Sequence, residues 1–240
     1  MKKMVPAVLL TMFLGTTLIA KAPSTQTVDS GSFGIYMNGK RVATETFKVE
    51  QRSDMSVARS DLKVQDSGVA QHSEMELSAN GNLLHYSWDQ MQPSKSGLTV
   101  EPNDEFLTEK VSAGAGPNEK AYNVPHLLPP STAILDDNFF LHREILLWRY
   151  LASGCSSKSQ AVTCTFSPQQ FGILIPAQHA SETVTLDFKD KEKISVKGQQ
   201  VEVSVFILQT EDGDWFLDLN DQQKVVRMVA GGSNLEVVRD

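Results

Sequence analysis

The chain has 240 residues, of which 22 are lysine or arginine and 29 are aspartate or glutamate, so its formal charge is −7. An acidic chain without a long basic run has no general attraction to phosphate backbones, which argues against nucleic-acid binding. Hydrophobic residues make up 40% and charged residues 21%, proportions that exclude a disordered chain and one embedded in a membrane along its length.

The first 22 residues have the features of a secretory signal peptide. Lys2 and Lys3 precede the apolar stretch 4–20, and the small residues Ala20 and Ala22 mark two candidate cleavage positions. An uncleaved anchor is the alternative, but a spanning helix needs about 20 apolar residues and this run is shorter. Removal of the signal leaves 19 basic and 29 acidic residues, a charge of −10. We expect a periplasmic or secreted protein.

The next residues predict an exposed lead-in followed by strands. Residues 23–31 are rich in Ser, Thr, Pro and Gly, which predicts a flexible segment before a single domain at 32–240. Apolar residues alternate over 32–37, and Asn38-Gly39 is the signal of a type I′ turn. A returning strand is therefore predicted over 41–51.

A second hairpin follows the same logic. Residues 69–79 and 83–88 flank Asn80-Gly81, and 56–64 predicts a further strand before them. Six prolines then divide 92–130 into short pieces, which we interpret as loops and edge segments.

The stretch 139–151 predicts the central helix of the domain. It contains no proline or glycine, and Asp136 or Asp137 can cap its start. Apolar side chains occupy most of its circumference, whereas a surface helix keeps one polar face. One interpretation is a helix packed into the core of a curved sheet. The other is a helix that lines an apolar cavity where a ligand binds.

The last third of the chain returns to strands separated by short turns. Strands joined by turns of two to five residues predict an antiparallel meander. The predicted strands are 171–175, 183–188, 193–196, 201–208, 215–219, 224–229 and 235–238.

The two cysteines, Cys155 and Cys164, predict a disulfide bond. Eight polar or small residues lie between them, and an exported chain meets an oxidising compartment. Closing a loop of about ten residues stabilises by about 2.7 kcal/mol in the chain-entropy model. A zinc site is the alternative, but this spacing without a nearby histidine does not match the usual ligand patterns.

No catalytic motif is present, so we predict neither an enzyme nor a cofactor. The chain lacks a phosphate-binding loop, a nucleophile elbow and a paired-histidine zinc helix. His72 and His85 could approach each other across the second hairpin and form a two-histidine site. The acidic turn at 211–221 offers oxygen ligands for calcium, but its residues do not follow the order of a calcium-binding loop. We therefore predict no metal site.

Three segments together resemble a family of exported bacterial proteins, β-rich and of unknown function, related to the half-barrel of periplasmic lipoprotein carriers. They are the hairpin at 34–41, the helix end at 147–150, and the closing strands at 215–221, 225–227 and 235–239. The resemblance implies a mainly β (α+β) fold, in which a curved antiparallel sheet or half-barrel wraps around one central helix. It also implies an apolar concave side, which holds acyl chains in the carriers, and it offers no catalytic residues.

These observations predict a non-enzymatic envelope protein that binds a lipid, a lipidated protein or another apolar ligand. A closed-core interaction protein that docks a protein partner is the first alternative, and an envelope hydrolase without a recognisable motif is the second. The predicted ligand-binding residues all lie on the helix: Phe139, Phe140, Leu147, Trp148 and Leu151.

Overall fold

The computed structural model describes residues 25–92, 94–112, 120–158 and 161–240, leaving aside the side chains of 156–158 and 161–164. The signal peptide predicted for 1–22 lies outside these residues. The described chain is mostly strand, with one α-helix, α1 (Leu141–Gly154), and a short 3-10 helix at Pro176–Gln178. The strands are β1 Gln26–Met37, β2 Lys40–Gln51, β3 Met55–Val64, β4 Ala70–Ser78, β5 Leu83–Gln92, β6 Ser96–Asn103, β7 Phe106–Val111, β8 Tyr122–His126, β9 Ala133–Ile134, β10 Cys155–Lys158, β11 Ala161–Cys164, β12 Gln169–Ile175, β13 Ala180–Val196, β14 Gln199–Thr210, β15 Gly213–Leu219, β16 Val225–Ala230 and β17 Leu235–Arg239.

Fifteen of these strands form one sheet, with β8 at one end and β9 at the other. Strand β1 lies in the middle, and the strands from β2 to β8 are added beside it one after another. On its other side β1 pairs with β17, and the order then runs backwards to β12. The first and last strands are therefore hydrogen-bonded neighbours, with Phe33 opposite Arg239.

The segment between β8 and β12 carries the chain from one end of the sheet to the other. Strand β9 pairs in parallel with β12, with Ile134 opposite Leu174. Helix α1 follows β9, and β10 and β11 then form a separate two-stranded ladder. The helix thus lies between the N-terminal and C-terminal halves of the sheet in sequence.

The core lies between the helix and the inner face of the sheet. Side chains alternate along β2, where Ala43, Phe47 and Val49 are buried in the core. These strand residues form one hydrophobic cluster with helix residues such as Leu147 and with Phe206 from the C-terminal half. A sheet with one apolar face has to bury that face, and here it does so around the helix. The predicted curved antiparallel sheet around a central helix is confirmed.

The two predicted hairpins are present. Asn38 and Gly39 have φ values of +53° and +75°, the left-handed conformation that a type I′ turn requires at both positions. Strands β4 and β5 are joined through Asn80-Gly81, where Gly81 N–H donates to Ser78 O at 2.8 Å.

Two predictions of irregular structure need correction. The edge segments predicted within 92–130 are present as β7 and β8 at one end of the sheet, but the loop predicted before them is wrong over 96–103, which is strand β6. Pro102 is tolerated because it lies near the end of β6, and Pro125 because it lies on the end strand β8. The lead-in predicted for 23–31 is strand from Gln26 onward, since β1 pairs with β2 as far as Gln26 opposite Gln51.

A smaller difference concerns β13, which was predicted as two strands. Residues 183–188 and 193–196 belong to one strand that pairs with β14 along its length. A register shift between Phe188 and Asp190 interrupts the alternation of side chains, which explains why the sequence pattern breaks there.

The two cysteines lie on the small ladder formed by β10 and β11. Cys155 is directly opposite Cys164 in its antiparallel register. Opposite residues on such a ladder have Cα atoms about 4.5–5.5 Å apart, within the range that a disulfide bond spans. The side chain of Cys164 lies outside the described residues, so the disulfide stays a prediction.

The two ends of the large sheet approach each other at Glu109 of β7. This fully buried carboxylate accepts a hydrogen bond from His126 of β8 at 2.9 Å and contacts His179 Nδ1 at 2.5 Å. His179 follows β12, near the opposite end of the sheet, and has a left-handed backbone with φ of +53°. We call Glu109, His126 and His179 the seam cluster, because they join the two ends of the curved sheet.

Candidate functional site

The start of helix α1 is held by a carboxylate from a distant strand. Glu45 lies on the buried face of β2, and its two oxygens accept the backbone N–H groups of Phe140 at 2.7 Å and Leu141 at 3.3 Å. Ser60 of β3 donates its hydroxyl to the same carboxylate at 2.7 Å. Complete burial raises the pKa of Glu45 to about 7, in spite of these hydrogen bonds. Neither Asp136 nor Asp137 caps the helix, so that prediction is wrong.

A second buried polar group fixes the turn before the helix. Tyr86 of β5 donates its hydroxyl to Asp136 at 3.0 Å, and the backbone N–H of Asp136 donates to His142 Nδ1 at 3.2 Å. Burial raises the pKa values of Tyr86 and Asp136 and lowers that of His142 to about 3. The His142 ring is therefore neutral, with its proton on Nε2.

A third group attaches the helix to the middle of the sheet. Glu144 accepts two hydrogen bonds at 2.7 Å from the guanidinium of Arg239 on β17, and one at 2.9 Å from Val225 N–H on β16. Arg239 also pairs with Asp29 of β1 at 3.0 Å. Burial raises the pKa of Glu144 to about 7. The three polar groups hold α1 to both halves of the sheet, so the helix forms a fixed wall.

One side of this wall borders an apolar cleft of about 420 Å³. The cleft lies between α1, β9 and the end of the β4–β5 hairpin. Its apolar lining consists of Met75, Leu77, Ala79, Ala133, Ile134, Ile145, Leu146, Trp148 and Ala152. Its polar lining includes Gln51, Ser56, Asn80, His142 and Arg149. A cleft with this volume and composition falls within the usual range of small-molecule sites.

The five helix residues predicted to bind a ligand do not all face this cleft. Phe139, Phe140, Leu147 and Leu151 are buried in the hydrophobic core, with Phe139 and Leu147 fully inaccessible. Trp148 does line the cleft, and its indole N–H donates to Gln223 O at 2.7 Å. The structure therefore places Trp148 at the cleft, whereas the other four predicted residues lie in the hydrophobic core.

A second pocket, of about 280 Å³, opens near the start of the same helix. Arg143 lines it, and the guanidinium lies over the rings of Trp215 at 4.3 Å and Phe140 at 5.2 Å. Burial lowers the pKa of Arg143, while the nearby carboxylates of Asp137 and Glu45 oppose this shift. We call this pocket the Arg143 pocket.

Histidines His72 and His85 do not form a site together. His72 pairs with Asp61 at 3.0 Å, and His85 pairs with Glu101 at 3.3 Å, so the pairing across the second hairpin is wrong. Among the residues that the structure describes, no group of three or more His, Cys, Asp or Glu side chains is placed to hold a metal ion.

The polar groups around the helix were missed in the sequence, although part of the signal was there. Glu45 shares an alternating pattern with Ala43, Phe47 and Val49, so a charged residue occupies an inward position of an otherwise apolar face. Such a residue needs a buried partner. Its partner is a pair of backbone amides on a distant helix, which no local pattern reveals.

Comparison with known proteins shows the fold alone. No family model matches this chain, and no curated protein matches it. A crystal structure of a beta-barrel-like protein of domain of unknown function DUF1849 from Brucella abortus is similar, with a TM-score of 0.51 and 9% sequence identity. The match covers 88% of this chain and 94% of that one. In the described part of this chain, no helix has the length and apolar character needed to cross a membrane.

Proposed function

We propose that this protein is an exported, non-enzymatic binding protein that holds a lipid acyl chain in the apolar cleft beside α1. The observation that carries the proposal is the cleft itself, which has an apolar lining on both the helix side and the hairpin side. Transfer of an acyl chain into such a cleft removes apolar surface from water, which is worth about 25 cal/mol per Å².

The walls of the cleft are suited to a preformed site. Ile145, Leu146 and Trp148 come from α1, which Glu45 and Glu144 fasten to the sheet. A rigid wall reduces the ordering that binding would otherwise require. Arg149 also lines the cleft and supplies the positive charge that an acidic headgroup or fatty-acid carboxylate would meet.

The resemblance to periplasmic lipoprotein carriers supports an acyl chain as the class of ligand, because those carriers hold acyl chains against a curved sheet. The signal features of the first 22 residues support export to the periplasm or beyond. N-terminal sequencing of the protein recovered from the envelope tests export, since it should begin after Ala20 or Ala22. A chain recovered with Met1 and Lys2 intact would contradict a cleaved signal.

The binding test uses protein extracted from its native envelope and analysed by mass spectrometry for co-purifying lipid. A fluorescent fatty acid then measures affinity for the stripped protein. Ala79→Trp, an exposed residue at the cleft border, should reduce binding by about tenfold by filling the cleft. Ser67→Trp, in the turn at the opposite end of the β3–β4 hairpin, is the matched control and should bind normally. Equal binding by both variants would refute the cleft as the site.

A protein-docking role is the second candidate, favoured by a separate apolar surface. Phe106 and Leu127 are 45% and 82% exposed and line the same surface hollow near the ends of β7 and β8. Exposed apolar groups that lie together are typical of interaction sites. The double variant Phe106→Ser, Leu127→Ser should lose cross-linking to an envelope protein while keeping fatty-acid binding, if this surface docks a partner.

A further inference from the structure

In the part of the chain that the structure describes, the buried guanidinium of Arg143 has no hydrogen-bonded counter-ion. The residue is 3% exposed, and its Nε and Nη1 have no hydrogen-bond partner in the described part of the chain. Nη2 lies 3.7 Å from Asp137 Oδ1, beyond hydrogen-bond distance. A buried guanidinium with unused donors is costly, because its hydration is lost and not replaced. The contacts with the rings of Phe140 and Trp215 leave these N–H donors unused, so Arg143 has hydrogen-bonding capacity that a ligand would satisfy.

The guanidinium is held in place beside a pocket. Trp215 and Phe140 contact it through their ring faces and also line the Arg143 pocket. Stacking on aromatic faces fixes the plane of a guanidinium while leaving its edge for an oxyanion. Arginine binds carboxylate and phosphate oxygens through two parallel N–H groups. Because Nε and Nη1 have almost no accessible surface, an anion that enters the pocket reaches them only with a small shift of the Arg143 side chain.

The border of the pocket selects against a simple anion. Asp137, Asp212 and Asp214 are exposed there, and Glu182 is half-buried. These carboxylates repel a ligand that carries only negative charge and attract an ammonium group. The positive charge of the pocket is buried and its negative charges are exposed, so the two lie at different depths. A matching ligand separates its oxyanion from its amine by a short linker.

We propose that the Arg143 pocket binds a phosphoethanolamine group, with the phosphate on the Arg143 guanidinium and the ammonium at the border formed by Asp137, Asp212 and Asp214. The group occurs both free and as a lipid headgroup, and its chemistry is the same in both. This site is distinct from the apolar cleft, and the two share no lining residue. The proposal does not depend on acyl-chain binding.

The test measures binding of glycerophosphoethanolamine to the full mature protein by titration calorimetry. This probe has no acyl chain, so the result is independent of the apolar cleft. Wild type should bind it, and should bind glycerophosphate, which lacks the amine, at least about tenfold more weakly. Arg143→Met should lower the affinity for glycerophosphoethanolamine by about tenfold or more. The variant should keep its circular dichroism spectrum and melting temperature, because methionine fills a similar space without a buried charge.

Asp137→Asn tests the border while leaving Arg143 itself in place. Its carboxylate is the one nearest to the guanidinium, and the residue is exposed. The variant should bind glycerophosphate more tightly than wild type does and glycerophosphoethanolamine more weakly. The ratio of the two affinities should therefore decrease. Sedimentation with vesicles of phosphatidylethanolamine and phosphatidylcholine identifies the source. If the protein sediments with phosphatidylethanolamine vesicles and Arg143→Met abolishes this, the ligand is a lipid headgroup. If the protein binds only the soluble probe, the ligand is the free phosphoethanolamine group.

Three results would overturn the proposal. The first is no binding of glycerophosphoethanolamine by a wild type that is correctly folded. The second is binding that survives Arg143→Met unchanged. The third is a preference for glycine or another α-amino acid over glycerophosphoethanolamine, which would assign the pocket to a ligand with both charges on one carbon.

Discussion

The carboxylate of Glu45 on β2 accepts the backbone N–H of Phe140 at the start of α1, across 95 residues of sequence. The same carboxylate accepts the next N–H, of Leu141, so one side chain caps the helix that the sheet surrounds. Sheet and helix are therefore joined by a buried acceptor in addition to their apolar contacts.

Replacement of Glu45 should destabilise the whole fold. Glu45→Ala leaves two buried amides and the Ser60 hydroxyl without a partner, which should cost about 1–3 kcal/mol. Glu45→Gln keeps an acceptor oxygen and should cost less. Chemical denaturation measures both, and Glu105→Ala, at an exposed position, is the control with an effect within about 0.5 kcal/mol. Equal stability of the Ala variant and the wild type would contradict the capping role.

Acid should destabilise the protein through His142. Its pKa is about 3 in the folded state because the ring is buried, against about 6.5 in the unfolded chain. Between these two values the unfolded chain binds a proton that the folded protein does not, so the contribution of His142 to stability falls as the pH falls from about 6.5 towards 3. Glu45 and Glu144, whose pKa values burial raises to about 7, contribute with the opposite sign. The contribution of His142 has a maximum slope of about 1.4 kcal/mol per pH unit.

The variant His142→Asn isolates this contribution, because asparagine retains an acceptor for the Asp136 N–H and does not titrate. The free energy of unfolding of wild type and variant, plotted against pH, should differ by a constant amount above pH 7. The two plots should converge or cross as the pH falls. A constant difference down to pH 4 would show that His142 is not the group responsible.

The seam cluster should determine how firmly the two ends of the sheet are held together. Glu109→Ala removes the partner of both His126 and His179. Amides of β8 and of the segment around His179 should then exchange faster with deuterium, while those of β1 and β17 in the middle of the sheet keep their protection. Glu101→Ala, which removes a more exposed carboxylate near the same strands, is the control. A uniform loss of protection across the sheet would contradict a local role at the seam.

The disulfide predicted between Cys155 and Cys164 should form in the oxidised protein. Intact mass under non-reducing conditions should be lower by two hydrogens than after reduction, and a peptide map should link the two cysteines. The double variant Cys155→Ser, Cys164→Ser should lose roughly 2–3 kcal/mol of stability through the entropy of the open loop. Free thiols in protein purified without reductant would refute the bond.

The local hairpins could be predicted from sequence because their signals are short. Asn38-Gly39 encodes a turn by the left-handed conformation of two residues, and the flanking alternation encodes the strands. The bounds predicted for helix α1 agree with the structure to within a few residues, since a long apolar stretch without proline or glycine favours a helix over a strand.

The prolines of 92–130 indicated edge segments correctly but concealed strand β6 for a definite reason. A proline is incompatible with a central strand but is tolerated at strand ends and on an edge strand. Whether Pro125 lies on an edge depends on the order of strands in the finished sheet, and that order is a tertiary property.

The sequence by itself determined the strands, the hairpins and the apolar helix, because each depends on neighbours within a few residues. The tertiary structure decided which side of the helix faces a cleft, and it placed Trp148 there while burying Phe139 and Leu147. It also decided the partners of Glu45, Glu144 and Arg143. A charged side chain on an apolar helix or strand indicates in sequence only that a partner is needed. The partner's identity follows from how fifteen strands curve around one helix, which brings distant residues within hydrogen-bond distance.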